Sequence, residues 1–206
     1  MSSHLDDLLN RAPALKLVAT EIQAAFDLMQ TSLLADGKLL LCGNGGSAAD
    51  AEHWAGELLK GFMLPRKLSD KTGAGLPDDL RSRLQWAIPA IPLTGFPSFT
   101  TAFSNDVEAE LIFAQLVLGL GKPGDVFVGI STSGNSKNVC QAAITAKARG
   151  LKVLALTGQQ GGKLRELADV CLAVPSTSTP LVQEYHLPIY HCLSMMLEDA
   201  WAEIYK

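Results

Sequence analysis

Positive charge is in short supply. Lysines and arginines number 17 against 21 aspartates and glutamates, for a net charge of −4. A general nucleic-acid binder needs a basic surface to neutralise phosphates, so the overall balance argues against that class. Long apolar runs are missing too, and nothing approaches the roughly 20 residues of a membrane-spanning helix. The opening stretch MSSHLDDLLNRAP lacks the charged-then-apolar order of a secretory signal. Cys42, Cys140, Cys171 and Cys192 lie far apart in apolar contexts, with no CxxC spacing. This predicts reduced core thiols in a cytoplasmic protein with no membrane partner. No Gly-Lys-Ser/Thr closes a glycine loop, so the Walker pattern is absent. Internal repeats and low-complexity tracts are absent as well.

Apolar residues, by contrast, are plentiful. They make up 48% of the 206 residues, and the mean hydropathy is +0.18. A chain of this length fills one core well and is short for two typical domains. The apolar content predicts a buried parallel sheet, with helix faces left over for subunit contacts.

The stretch that organises the rest is Lys38 to Leu59. Leu39-Leu40-Leu41-Cys42 reads as a buried strand, Gly43-Asn44-Gly45-Gly46-Ser47 as a turn, and Ala48 to Leu59 as a helix. Strand, glycine turn and helix form an anion site. Glycines let the backbone come close to a ligand, and the helix start offers unpaired N–H groups with partial positive charge. The same helix carries His53 and Glu57 on one face.

Before it, apolar positions from Leu15 to Met29 recur at three and four, predicting an amphipathic helix over Leu15 to Leu34. After it, Lys60 to Trp86 reads as a long irregular excursion with one short helix at Asp78 to Leu84. Such insertions are often binding loops or lids. Ala87 to Leu93 is extended, and its prolines keep it from the sheet centre. Phe99 to Phe103 reads as a helical turn, and Asn105-Asp106 is expected to cap a helix over Val107 to Leu120. Strands follow at Val126 to Ile130, Lys152 to Leu156 and Val170 to Val174, with a helix at Lys137 to Arg149. A short helix ends at Ala168, and a long one runs from about Leu181 to Tyr205 with a kink expected at Pro188. Alternating strands and helices mean a parallel sheet covered on both faces, with ligands at the carboxyl ends of the strands.

Four motifs carry chemistry. Gly43-x-Gly45-x-x-Ala48 formally matches the dinucleotide fingerprint. The strand ending in an acid that should follow is missing, because the chain there reads Phe62-Met63-Leu64-Pro65-Arg66-Lys67. The nicotinamide reading is therefore set aside. Ser131-Thr132-Ser133-Gly134-Asn135-Ser136 sets four hydroxyls and several N–H groups at a helix start. Helix capping alone needs one or two hydroxyls, so phosphate binding is favoured over a mere cap. On the C-terminal helix, Gln183, Leu187 and His191 form one row, while His186 points elsewhere and reads as a packing or surface histidine. His53, Glu57, Gln183 and His191 suit a divalent metal such as zinc. Alternatively, Glu57 and His191 are a base and an acid on opposite sides of a substrate. Both roles can hold at different stages.

CGNGGSAADAEH, GDVFVGISTSGNSKNV, LTGQQGGKL and VQEYHLPIYH together resemble the sugar isomerase (SIS) domain of the phosphoheptose isomerases. The likeness runs in order from about residue 15 to 200, with a break at 60–90. It implies an α/β fold: a three-layer parallel sheet flanked by helices, of flavodoxin-like SIS architecture. One domain is expected over residues 1–206, with an N-terminal helical segment at 1–36 and an insertion at about 60–86. The implied reaction converts sedoheptulose 7-phosphate to D-glycero-D-manno-heptose 7-phosphate through an enediol. The resemblance assigns the sugar phosphate to Asn44, Gly45, Gly46, Ser131, Thr132, Ser133 and Ser136, and Ser47 is grouped with them. Asn105 and Asp106 match the family's active-site pair, and Gln183 is expected to serve the substrate as well as the metal. His53, Glu57, Gln183 and His191 match its zinc-ligand set, with Glu57 as base and His191 as acid in a homotetramer.

Three departures stand out. The segment Lys60 to Trp86 is long for the family. Lys60-Gly61-Phe62 replaces its Gly-Arg-aromatic, and Pro180 replaces an aspartate. They leave the acid/base pair in place and shift substrate contacts, so another sugar phosphate is an alternative substrate. A second alternative is a non-catalytic SIS-domain protein, binding a sugar phosphate or, as in one branch of the family, a replication initiator.

Overall fold

The computed structural model describes residues 3–204. Tyr205, the expected end of the last helix, lies outside the described residues, as do residues 1, 2 and 206. Five parallel strands make the sheet: β1 (Leu39–Cys42), β2 (Ala90–Pro92), β3 (Val126–Ser131), β4 (Lys152–Gly158) and β5 (Val170–Val174). Their order is β2-β1-β3-β4-β5, the flavodoxin-like arrangement. The proline-bearing β2 lies at an edge, where a missing N–H is tolerated.

The helices are α1 (Ser3–Arg11), α2 (Ala19–Leu34), α3 (Gly46–Leu59), α4 (Asp78–Arg83), α5 (Pro97–Phe103), α6 (Ile112–Leu120), α7 (Lys137–Ala148), α8 (Gly162–Leu167) and α9 (Thr179–Ile204). Successive strand residues point to opposite faces, and both faces are buried. Leu39, Leu41, Val126, Val128 and Ile130 join the core under α1, α2, α3 and α9. Leu40, Cys42, Phe127 and Ala155 join the core under α6, α7 and α8. That two-sided burial is why these strands are continuous apolar runs rather than alternating ones. The four cysteines are free thiols.

Three expectations need correction. The helix expected from Leu15 begins at Ala19, because Pro13–Val18 forms a 3-10 turn instead of α-helix. The helix expected from Val107 starts at Ile112, after a π turn at Ser104–Glu108 and a 3-10 turn at Ala109–Leu111. Asn105 does not cap this helix, which Leu111 precedes; its Nδ2–H donates to Asp106 Oδ1 at 2.8 Å. The C-terminal helix starts two residues early, at Thr179, because proline is tolerated in a first turn and Pro180 sits there.

The excursion after α3 divides in two. Residues 61–68 run back along the chain at 85–88: Trp86 N–H donates to Arg66 O at 2.9 Å, and Gln85 Oε1 accepts from Gly61 N–H at 2.6 Å. The remainder, including α4, lies on the surface. It is laced by ion pairs of Arg81 with Asp70 and Asp78, and of Arg83 with Asp79.

Candidate active site

Strand order reverses at β1, which pairs with β2 on one side and β3 on the other. A crevice opens at such a switch point, outside the carboxyl ends of the strands. Cys42 and Gly129 are register partners, so the turns that follow β1 and β3 leave the sheet side by side. Asn44 and Asn138 join them, each amide donating to the other at 2.9 Å.

The turn after β3 is built from hydroxyls that do not cap. Ser136 precedes α7 without a side-chain hydrogen bond to the helix. Its Oγ lies 2.9 Å from Ser131 Oγ instead. Asn135 holds the turn's shape: its amide donates to Ser133 O at 3.0 Å, and its Oδ1 accepts from Lys163 N–H at 3.1 Å. Thr132 and Ser133 line a cavity of about 130 Å³ together with Gln159, Gln160, Ser176 and Thr177. No charged side chain lines it, so hydroxyls and amides would meet a ligand there.

The glycine turn is fixed by backbone requirements. Gly45, the residue before α3, has φ 56° and ψ −121°, a conformation essentially reserved for glycine. A Cβ on Gly46 would collide with the Gln183 side-chain amide. Glycine there lets α9 bring Gln183 against the turn. Ser47 is buried, while Asn44, Gly45 and Gly46 are exposed at the crevice.

Down the same helix, His53 Nε2 lies 3.2 Å from Glu57 Oε1 and His53 Nδ1 lies 2.9 Å from the Tyr190 hydroxyl. Tyr190 OH in turn reaches Asp50 Oδ1 at 3.4 Å and stacks on Trp54. Burial, with Asp50 beside it, raises the Tyr190 phenol and keeps it protonated. His191 packs edge-on against His53, ring centroids 5.3 Å apart, and on its other side meets Phe62 at 5.3 Å. Burial lowers the His191 pKa and His53 adds to this, while Glu57 opposes it. The ring is thus biased to its neutral form. Glu57 Oε2 and His191 Nε2 are buried without a hydrogen-bond partner. Lys60 Nζ stands 3.6 Å from Glu57 Oε2.

His53, Glu57 and His191 therefore meet in one cluster, with Gln183 two turns up α9 at the glycine turn. Ser131, Thr132, Ser133 and Ser136 share the adjoining turn. Asn105 and Asp106 sit apart and exposed in the π turn, and among the described residues their side chains bond only to each other. His186 is fully buried, donating Nε2–H to Thr157 O at 3.3 Å, as a packing histidine would. Asn138, Tyr190 and Asp50 escaped the sequence reading. Their positions beside Ser136, His191 and the glycine turn were the only signals.

Two imidazoles and a carboxylate at the cluster are donors that zinc takes, while the Gln183 amide lies two turns away, against Gly46. Among the described residues, however, no three His, Cys, Asp or Glu side chains are arranged to hold an ion as they stand. His53 Nε2 faces Glu57 and would have to leave that contact to ligate.

Known proteins are similar to this chain in sequence and in fold. Two SIS domain models match the chain, over residues 98–195 and 5–75. The phosphoheptose isomerase of Rhodospirillum rubrum is 41% identical over 182 residues, covering 88% of this chain and 87% of that protein. The phosphoheptose isomerase of Thiobacillus denitrificans is 42% identical over 187 residues, covering 89% and 85%. Among solved structures, the phosphoheptose isomerase of Neisseria gonorrhoeae superposes with a TM-score of 0.76 at 35% identity, covering 96% of each chain.

Proposed function

This chain belongs to the SIS-domain phosphoheptose isomerase family, and from that premise we propose that it converts sedoheptulose 7-phosphate to D-glycero-D-manno-heptose 7-phosphate. It is a phosphosugar isomerase. Aldose–ketose isomerisation moves a proton between adjacent carbons through an enediol. It needs a base at carbon, a proton donor at the carbonyl oxygen and a firm hold on the distal phosphate.

In this reading Glu57 takes the proton from one carbon and returns it to the next. His191 donates Nε2–H to the carbonyl oxygen as charge develops there, and takes the proton of the neighbouring hydroxyl when the new carbonyl forms. A neutral imidazole suits that task, because it polarises the oxygen without needing to start charged. Ser131, Thr132, Ser133 and Ser136, with the Asn44-Gly45-Gly46 turn, grip the phosphate. Ser47, Asn105, Asp106 and Gln183 are the further substrate contacts proposed. The observation that carries the reading is that Glu57 Oε2 and His191 Nε2, in one cluster, are buried without a hydrogen bond, with only the Lys60 ammonium near Glu57 Oε2 at 3.6 Å. Buried polar atoms are almost always bonded, so a carboxylate oxygen and a ring nitrogen left free in one cluster are available to substrate groups.

Zinc is part of the proposal, held by His53, Glu57, Gln183 and His191. When bound, it would polarise substrate oxygens. We further read residues 1–206 as one SIS domain, working in the cytoplasm as a homotetramer. Exposed apolar side chains at Leu17, Met63 and Val107 support subunit contacts. Among the described residues, no helix is long and apolar enough to cross a membrane.

The test is turnover of sedoheptulose 7-phosphate by the wild type, Glu57→Gln and His191→Ala. Wild-type turnover that each substitution lowers by about 10²-fold or more is the expected result. If the wild type turned over neither this substrate nor other ketose phosphates, the reading would fail and the binding-protein alternative would replace it.

A further inference from the structure

Arg66 and Glu198 form an ion pair sealed inside the protein. Their side chains are 0% and 1% exposed, with Arg66 Nε 2.7 Å from Glu198 Oε1. Neither touches the crevice. The pair lies where three pieces of chain meet, and each contact has a structural consequence.

Arg66 closes the carboxyl end of α3. Nη1–H donates to Leu58 O at 2.5 Å, and Nη2–H to Glu57 O at 3.3 Å. These are last-turn carbonyls that a helix leaves without partners. The guanidinium also lies 4.7 Å from the centre of the Trp86 ring. Glu198 accepts three further hydrogen bonds, from the N–H groups of Phe62 at 2.9 Å, Met63 at 2.7 Å and Leu64 at 3.0 Å. That gathers the turn after α3 around one carboxylate and sets the Phe62 ring against His191. Glu198 itself stands seven residues beyond His191 on α9, on the same helix face.

A buried ion pair adds little stability over apolar residues of the same volume, because desolvation offsets the attraction. Its specific effect here is geometric. One end holds the backbone of the residue that carries one reacting group, and the other is rooted in the helix that carries the second. We propose that Arg66 and Glu198 are positioning residues that set Glu57 and His191 in register across the substrate. This rests on the base and acid roles given to those two residues above.

The experiment compares Arg66→Lys, Arg66→Met, Glu198→Gln and Phe62→Leu with wild type. Each is measured for kcat, KM and the primary deuterium isotope effect with sugar phosphate labelled at the carbon that loses its proton. Folded fraction is measured alongside. Misplacement of reacting groups by about 1 Å costs about 10²-fold, so Arg66→Met should lower kcat about 10- to 100-fold. KM should stay within about threefold, because the phosphate grip is elsewhere, and the isotope effect should rise as proton transfer becomes more limiting. Arg66→Lys, keeping the charge but not the fork, should fall between.

A purely structural role would lower activity in proportion to folded protein and leave the isotope effect unmoved, and that result overturns the proposal. Should the Arg66 and Glu198 variants fail to fold, Phe62→Leu decides. Its ring is half-exposed, and an unchanged kcat and isotope effect there would likewise overturn it. Glu57→Gln and His191→Ala run in parallel. If they abolish turnover while all four variants behave as wild type, only the positioning role falls. If they retain full turnover, the acid/base reading falls and the positioning role with it.

Discussion

Asn44 and Asn138 present their side-chain amides to each other, donor to acceptor in both directions at 2.9 Å. Asn44 belongs to the glycine turn and Asn138 to the first turn of α7, so this ring of two hydrogen bonds holds both halves of the proposed phosphate grip at one spacing. Asn138 Oδ1 also accepts from Val139 N–H at 3.0 Å. Asn138→Ala should raise KM for the sugar phosphate several-fold and leave kcat nearly unchanged, since the groups doing chemistry lie down α3. Stability should drop by about 1 kcal/mol, the net worth of ordinary hydrogen bonds. Steady-state kinetics and urea unfolding check both. A fall in kcat with KM unchanged would count against it.

Ion pairs in this protein should differ sharply in worth. Removing one partner of a buried pair leaves a stranded charge, so Glu198→Gln should cost about 3–5 kcal/mol. Arg83 and Asp79 make an equally short contact, at 2.6 Å, but are 67% and 77% exposed. Asp79→Asn should cost less than about 1 kcal/mol. Burial alone would raise the Glu198 carboxyl. The N–H groups of Phe62 and Met63 and the Arg66 guanidinium outweigh it and hold the carboxyl below its ordinary range. Chemical denaturation of the two variants measures the contrast, and equal costs would refute it.

The contrast also shows what a sequence can reveal. Strands β1, β3 and β4 were legible because burial on both faces writes them as unbroken apolar runs, and the edge strand β5 reads as an apolar run although it is only partly buried. His53 with Glu57, and Gln183 with His191, were legible because helical spacing puts each pair on one face. The pairing of Arg66 with Glu198 spans 132 positions and leaves no periodic trace. The turn it organises therefore read as part of a loose excursion. Asn105-Asp106 misled for the opposite reason. Its composition suits a helix cap, but local bonding between the two side chains satisfies it inside a π turn.

Metal removal should separate two states of the cluster. With zinc bound, His53 Nε2 would leave Glu57, and Nδ1–H would donate to Tyr190 OH, which donates on to Asp50. Partners of this kind orient a ligating imidazole, and their loss typically weakens metal binding 10- to 100-fold. Protein purified without chelators should carry about one zinc per subunit, lost on dialysis against a strong chelator. Tyr190→Phe should bind zinc about 10-fold more weakly in competition with a chromophoric chelator. Far less than one zinc per subunit, with no gain in turnover on adding it, would remove zinc from the mechanism.

His186 should give the protein an acid-labile core. Its ring is fully buried, with Nε2–H on Thr157 O and Nδ1 without a partner. Burial lowers its pKa from 6.5 to about 4. Above pH 6.5 the ring is neutral folded and unfolded, and its full contribution is present. Between 6.5 and 4 the unfolded chain takes up a proton that the folded one refuses, so stability falls as pH falls. Below about pH 4 both forms are charged and the loss is complete. Each pKa unit is worth about 1.4 kcal/mol, so the total is about 3 kcal/mol. His186→Gln keeps a donor for Thr157 and cannot titrate. Carboxylates that also titrate in acid are common to both proteins and cancel in the difference. Wild type should therefore lose about 3 kcal/mol more than the variant between pH 7 and pH 4. Thr157 is the register partner of Ser131, so the loss would be felt directly beneath the phosphate turn. Parallel stability curves for the two proteins would show that the ring does not change charge on unfolding.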